Sequence, residues 1–269
     1  MSADASVFLK DGFFSMLALD HRGSFKKSMG DATDEEMTSR KRDIIQALGN
    51  RPSGILIDSD YGLEALKTSG ISAPYLMAME KSGYEERGDE RHTELIHTGE
   101  EIQKDGAAGA KLLLYMRGDE GDASQIDVAG RALAEAEKAS LPLFLEVVIY
   151  GEGRGHVGER TLTAMTALQA RGVVPSVWKV EAPGTPELAT ETTRVAGGTP
   201  WILLSRGAEF ERFTWELKES LAGGARGFLA GRSLWQEALS LSHDERVHFL
   251  STALPERFDI LLSVMKEVH

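Results

Sequence analysis

The chain has 269 residues, 42% of them hydrophobic, no cysteine, and 42 acidic against 30 basic side chains, for a formal net charge of −12. That size and apolar content suit one large core; the acidic balance excludes a general nucleic-acid or acidic-membrane binder, because the summed field repels both; the lack of cysteine excludes disulfides, thiolate nucleophiles and Cys-ligated metals. The opening MSADASVFLKDG lacks the basic start and apolar core of a secretory signal, and no apolar run approaches the roughly 20 residues that span a bilayer, so the cytoplasm is the expected location.

Eight short apolar runs follow in order: residues 13–19, 54–58, 73–79, 109–116, 142–148, 176–181, 200–205 and 227–231. Most are continuous rather than alternating, the pattern of parallel strands covered on both faces. Helical segments lie between them. Thr33 to Glu36 has the capping-box form and introduces Met37, Ile44, Ile45 and Leu48, with Gly49 as the stop. Further helices are expected near 92–105, 123–139, 158–170, 185–196, 209–222 and 232–240, with an apolar helical tail at 256–267. The link after the second run is short, so its helix should be short. Strict alternation over the whole chain, with no linker or composition shift, predicts a single (β/α)8 barrel over residues 1–269. A doubly wound open sheet is the alternative, but the turn after the first run, ALDHRGSF, has a single glycine and no G-x-G-x-x-G.

Chemistry in such barrels sits at the C-terminal strand ends, and these ends are rich in polar residues. The first three carry Asp20, His21 and Arg22, then Asp58 and Asp60, then Glu80 and Lys81. Lys111, Glu146, Lys179 and Glu181 interrupt the fourth, fifth and sixth runs, and the last two end in Ser205, Arg206, Gly207 and in Gly231, Arg232. A lone polar residue in an apolar run is more often a satisfied ion pair, but convergence of many on one rim points to a site. The seven histidines show no H-x-H or H-E-x-x-H spacing, so neither a metal nor another cofactor is expected. A G-x-S-x-G elbow is also lacking.

Lysine chemistry remains. A lysine with a lowered pKa can attack a carbonyl and form a Schiff base. Lys179 fits that role, with Lys111 as the second cation that depresses its pKa, Glu146 as proton shuttle and Asp20 orienting the lysines or a substrate hydroxyl. A buried Lys–Glu pair of purely structural use fits the same pattern. Glycine, serine and arginine at Ser205–Gly207 and Gly231–Arg232 suit a phosphate, or form only tight turns with solvated arginines.

MLALDHRGSFKKSM, LMAMEKSGYEE, AAGAKLLLYM, LPLFLEVVIYG, PSVWKVEAPG, PWILLSRGAEFERF and RGFLAGRSLWQEAL resemble, in order, the blocks of the class I aldolases related to tagatose 1,6-bisphosphate aldolase, a family that includes the sulfofructose-phosphate aldolases. The resemblance covers nearly the whole chain. It implies a (β/α)8 fold, no metal, a Schiff base on Lys179, Glu146 as proton donor and acceptor beside Asp20 and Lys111, and substrate phosphate at Ser205, Gly207, Gly231 and Arg232. His21 stands where members close to the tagatose enzyme have glutamine, and Arg206 replaces a small residue; both join the expected substrate-binding set. DHRGSF with VWKVE also resembles the 2-deoxy-5-keto-gluconate 6-phosphate aldolases. The expected partner is thus a phosphorylated sugar, cleaved to dihydroxyacetone phosphate and an aldehyde; self-association into a homo-oligomer is compatible with this reading. The other class of function is a sugar-phosphate sensor on the same scaffold.

Overall fold

The computed structural model describes residues 3–119, 122–151 and 156–268. Eight parallel strands close into a barrel: β1 (Phe14–Ala18), β2 (Gly54–Ile57), β3 (Tyr75–Ala78), β6 (Gly109–Met116), β7 (Leu143–Ile149), β8 (Val177–Val180), β9 (Trp201–Leu204) and β10 (Gly227–Ala230). Their order around it is β1-β10-β9-β8-β7-β6-β3-β2. Closure rules out the open doubly wound sheet, because β1 pairs with both β10 and β2 and leaves no edge.

The continuous apolar runs have a simple cause. Alternate residues of each strand face the barrel interior and the surrounding helices, and both places are dry. Met16, Leu56, Leu76, Phe144, Val177, Ile202 and Leu229 fill the interior, while Leu17, Ile57, Met77, Leu145, Trp178 and Leu203 pack outward under the helices. Phe8, from a 3-10 turn at Ser6–Phe8, belongs to the interior cluster and meets Phe144 edge to face at 5.4 Å. The same alternation places Lys111, Glu146 and Lys179 on the interior side, Lys111 in register with Phe144, and Glu146 and Lys179 one inward position beyond Phe144 and Val177. In register, Lys111 lies opposite Ala78 and Lys179 opposite Glu146.

The helices α1 (Gly23–Met29), α2 (Asp34–Leu48), α3 (Gly62–Ser69), α4 (Gly99–Lys104), α5 (Ala123–Lys138), α6 (Val157–Ala170), α7 (Pro186–Ala196), α8 (Phe210–Ala222) and α9 (Arg232–Trp235) alternate with the strands, and α10 (His243–Ser251) and α11 (Ala253–Val268) follow. The capping box at Thr33 and Glu36 starts α2, and Gly49 ends it in a positive-φ conformation. As expected, α3 is short, at 8 residues. Among the described residues, no helix is long and apolar enough to cross a membrane.

Two expectations need correction. The segment at 92–105 is helical only from Gly99, where Thr98 and Glu101 form a capping box; before it, β4 (Glu85–Arg87) and β5 (Glu90–His92) pair as an antiparallel hairpin. Residues 232–240 form α9 and then a 3-10 turn at Gln236–Leu239 rather than one helix. The apolar tail expected at 256–267 is helical as α11, and α10 precedes it, introduced by a capping box at Ser242 and Glu245.

Candidate active site

At the C-terminal end of the barrel lies a cavity of about 480 Å³. Every residue expected to act on substrate borders it: Asp20, His21, Lys111, Glu146 and Lys179 at its floor and first turn, and Ser205, Arg206, Gly207, Gly231 and Arg232 on the β9–β10 side.

The floor is a compact charge cluster. Lys179 Nζ lies 2.7 Å from Glu146 Oε2, and Lys111 Nζ lies 3.1 Å from the same oxygen. Lys111 also reaches Asp20 Oδ2 at 2.8 Å and Glu80 Oε1 at 2.6 Å. Both lysines and Glu146 are buried, so each charge depends on its partners rather than on water. Burial disfavours the Lys111 ammonium, but Asp20, Glu146 and Glu80 outweigh it and raise its pKa well above the ordinary lysine value. Burial likewise raises the carboxyls of Asp20 and Glu146; Lys111 beside them, with Lys179 adding to it, wins and holds both below the usual carboxylate range. Lys111 is therefore a fixed cation enclosed by three carboxylates, with Glu146 standing between it and Lys179. Among the described residues no group of three or more His, Asp or Glu is disposed to hold a metal ion.

Glu80 is the member that had no role assigned. It joins Lys111 through one oxygen and accepts the Leu113 N–H at 3.2 Å through the other, while its own carbonyl accepts from Arg22 Nη2 at 2.6 Å. Its position at the end of β3, in register next to β6, was the available signal.

His21 packs edge to face on Trp235 at 5.2 Å and sits 3.6 Å from Asp20 Oδ1. Burial, aided by Arg232, Lys41 and Lys179 against the opposing pull of Asp20, lowers its pKa from 6.5 to about 4. The ring is neutral at physiological pH, and its Nδ1 is buried without a hydrogen-bond partner.

On the opposite side Ser205, Gly207, Gly231 and Arg232 come together. The Gly231 N–H donates to Ser205 Oγ at 3.3 Å, and Arg232 Nη2 donates to the Arg206 carbonyl at 3.3 Å. Gly231 must lack a Cβ, which would fall 2.9 Å from the Ala18 carbonyl oxygen and 3.0 Å from the His21 ring. Gly207, at φ +77°, lets the chain turn tightly beneath the Arg232 side chain. Arg232 has no carboxylate partner among the described residues, and its Nε is buried without an acceptor. Here a guanidinium faces a cavity with its charge uncompensated, the arrangement that receives an anion.

Two expected neighbours lie elsewhere. Glu181, one of the strand-end residues expected on the rim, instead pairs with Arg206 and accepts the Ile149 N–H at 2.7 Å. Strand β8 stops at Val180, so the alternation that would have aimed Glu181 inward no longer applies. It borders a second cavity of about 870 Å³, between α6, α7 and α8, which shares Ser205, Arg206 and Gly207 with the first. Asp58 is fully buried against Lys41 and caps the Asp60 and Tyr61 N–H groups at 3.0 and 2.8 Å. It does not border the cavity.

Tyr115 forms part of the far wall. The hairpin anchors there through Arg91, whose guanidinium lies 4.4 Å from the Tyr84 ring, 4.8 Å from Tyr150 and 5.9 Å from Tyr115.

The chain is 28% identical over 265 residues to the tagatose 1,6-diphosphate aldolase of Lactococcus lactis subsp. lactis, covering 84% of this chain and 81% of that one. It is 28% identical over 302 residues to the enzyme of the same name from Staphylococcus aureus (strain bovine RF122 / ET3-1), covering 96% and 92%. Among solved structures, a Schiff base forming fructose-1,6-bisphosphate aldolase superposes with a TM-score of 0.69 at 19% identity, over 98% of this chain and 97% of the other. An archaeal fructose 1,6-bisphosphate aldolase gives 0.68 at 21% identity, over 94% and 96%. These structures share the fold. Residues 14–237 match the family described as DeoC/LacD family aldolase, and the chain therefore belongs to that family and is an aldolase, a lyase.

Proposed function

We propose that the protein cleaves a phosphorylated ketose, a ketose 1-phosphate or 1,6-bisphosphate, reversibly into dihydroxyacetone phosphate and an aldehyde, through a Schiff base on Lys179. The carrying observation is the buried 2.7 Å contact between Lys179 Nζ and Glu146 Oε2, across the cavity from the uncompensated Arg232. The tagatose 1,6-diphosphate aldolases it is similar to support the substrate class.

The chemistry follows from the cluster. Moving a proton from Lys179 to Glu146 gives a neutral amine and a carboxylic acid without changing the charge of the cluster, so burial does not oppose it. The amine nitrogen then bonds to the ketose C2 and the carbonyl oxygen takes up a proton. Glu146 supplies the proton with which that oxygen leaves as water, and the C2–N bond becomes an iminium. Glu146, now a carboxylate again, takes the C4 hydroxyl proton, and the C3–C4 bonding pair moves toward the iminium nitrogen; the aldehyde departs and an enamine remains. Protonation at C3 and hydrolysis release dihydroxyacetone phosphate and restore the lysine. Lys111 keeps Asp20 ionised and holds both carboxyl groups in place, and Asp20 orients the carbinolamine hydroxyl and the C4 hydroxyl. The phosphate of the first fragment rests on Arg232, Ser205 and the backbone at Gly207 and Gly231, with His21 and Arg206 on the rim.

A panel of ketose 1-phosphates and 1,6-bisphosphates, with triose phosphate release followed by a coupled reduction, tests the reading. Release from at least one is expected. Saturable binding without release from any would replace the enzyme with a sensor, and release of malonate semialdehyde from 2-deoxy-5-keto-gluconate 6-phosphate in preference to all others would move the activity to that substrate.

A further inference from the structure

Lys41 is a buried ammonium that the reaction above does not use. It projects from the inner face of α2, outside the barrel, and is 0% exposed. Its Nζ donates to the Leu19 carbonyl at 2.7 Å and to the His21 carbonyl at 2.8 Å, the two residues that flank Asp20 in the chain, and its third partner is the Asp58 carboxylate. Asp58 is itself fixed by the N–H groups that lead into α3. The rings of Phe25 and Tyr61 lie 5.2 and 5.8 Å from the ammonium and close the remaining sides.

From this geometry we infer that Lys41 is a positioning residue for catalysis, clamping the turn after β1 from behind so that the Asp20 carboxylate stays on Lys111. The turn lies between the end of β1 at Ala18 and the start of α1 at Gly23, where the Leu19 N–H donates to the Leu56 carbonyl at 2.8 Å and Arg22 reaches the Glu80 carbonyl at 2.6 Å, but neither contact holds the two carbonyls on either side of Asp20. A burial this complete is costly for an ammonium, and a methionine at the same place would fill the space with apolar atoms. What methionine cannot do is donate to two carbonyls on either side of a catalytic carboxylate. Asp20 in turn meets Lys111 through one oxygen at 2.8 Å, a contact that a small displacement of the turn would break. The phosphate-binding side, on β9 and β10, is not touched by Lys41.

This inference rests on the Schiff-base reading, and the test separates the two. Dihydroxyacetone phosphate is incubated with the full-length protein, and borohydride trapping is followed by intact mass. The proteins compared are the wild type, a Lys41→Met/Asp58→Asn double variant, which removes both charges and keeps an acceptor for the α3 cap, Asp20→Asn, and all three changes together. The double variant should trap about 10- to 100-fold more slowly at saturation, the scale of a small misplacement of a reacting group, with the half-saturating concentration held within about threefold because the phosphate subsite is intact. In the Asp20→Asn background the same change should slow trapping by no more than about twofold, since both act through one carboxylate. Equal losses in the two backgrounds, or a folded double variant with native trapping, would make Lys41 purely structural. Should the double variant not fold, Asp58→Asn alone loosens the ammonium without emptying its space and must show the same dependence on Asp20. A wild-type protein that forms no adduct overturns the Schiff-base reading itself.

Discussion

The two sides of the cavity are built on opposite electrostatic plans. On the β6–β8 side, Lys111 and Lys179 meet Asp20, Glu80 and Glu146 at 2.6 to 3.1 Å, so every charge has a partner. On the β9–β10 side, Arg232 faces the cavity with no carboxylate partner among the described residues. A compensated cluster can pass protons internally at little cost, because each transfer leaves its total charge unchanged. An uncompensated guanidinium holds still and waits for an anion. Under the proposed function one side makes and breaks bonds and the other binds, and variants on the two sides should therefore fail in different ways.

The largest effect belongs to Lys179→Ala. Glu146 keeps Lys111 as a partner, so the variant should fold, while turnover falls on the order of 10⁶-fold, the scale of deleting a nucleophile. Retention of more than a hundredth of the wild-type rate would place the nucleophile elsewhere. Next comes Glu146→Gln, which keeps the shape and removes the proton relay: kcat should drop by roughly 10² to 10⁴ with KM little changed. Arg232→Met should show the reverse split. Losing charged hydrogen bonds to a phosphate raises KM by roughly 10- to 100-fold, with the smaller change in kcat. If steady-state kinetics gave these two variants the same pattern, the division between the sides would not hold.

The smallest expected effect is one of pH on stability. The folded-state pKa of His21 is lowered to about 4 from 6.5. Between these values the unfolded chain binds a proton that the folded one does not, so stability falls as pH drops through that window. Urea unfolding at pH 7 and pH 5 should show a smaller loss for His21→Gln than for the wild type. Equal losses would mean that the imidazole titrates normally in the folded protein.

Much of the barrel was legible because its physics is local. A strand dry on both faces must be continuously apolar, and the residues that broke this rule, Lys111, Glu146 and Lys179, stand out for that reason. What escaped had conflicting signals. Lys41 falls between Met37 and Ile44 on the apolar stripe of α2, and a lysine there is readily taken as a solvated charge beside the stripe; its spacing from Met37 and Ile45 was the available sign of burial. The pairing of Glu181 with Arg206 depends on where β8 stops, a tertiary matter that side-chain alternation does not contain. The hairpin at Glu85–His92 is almost wholly polar, and it is held in place partly by Arg91 against the adjacent Tyr84 and against Tyr115 and Tyr150 from farther along the chain. Its partners meet only in three dimensions.

The central claim is that Lys179, and not the equally buried Lys111, carries the covalent intermediate. Lys111 is enclosed by three carboxylates and held as a cation, which leaves it no free electron pair. Borohydride trapping with dihydroxyacetone phosphate, followed by peptide mass spectrometry, should therefore place the adduct on Lys179, within the segment VVPSVWKVEAPG, and Lys111→Ala should still form it, more slowly. An adduct on Lys111 or Lys81, or the same yield of adduct from Lys179→Ala, would contradict the account.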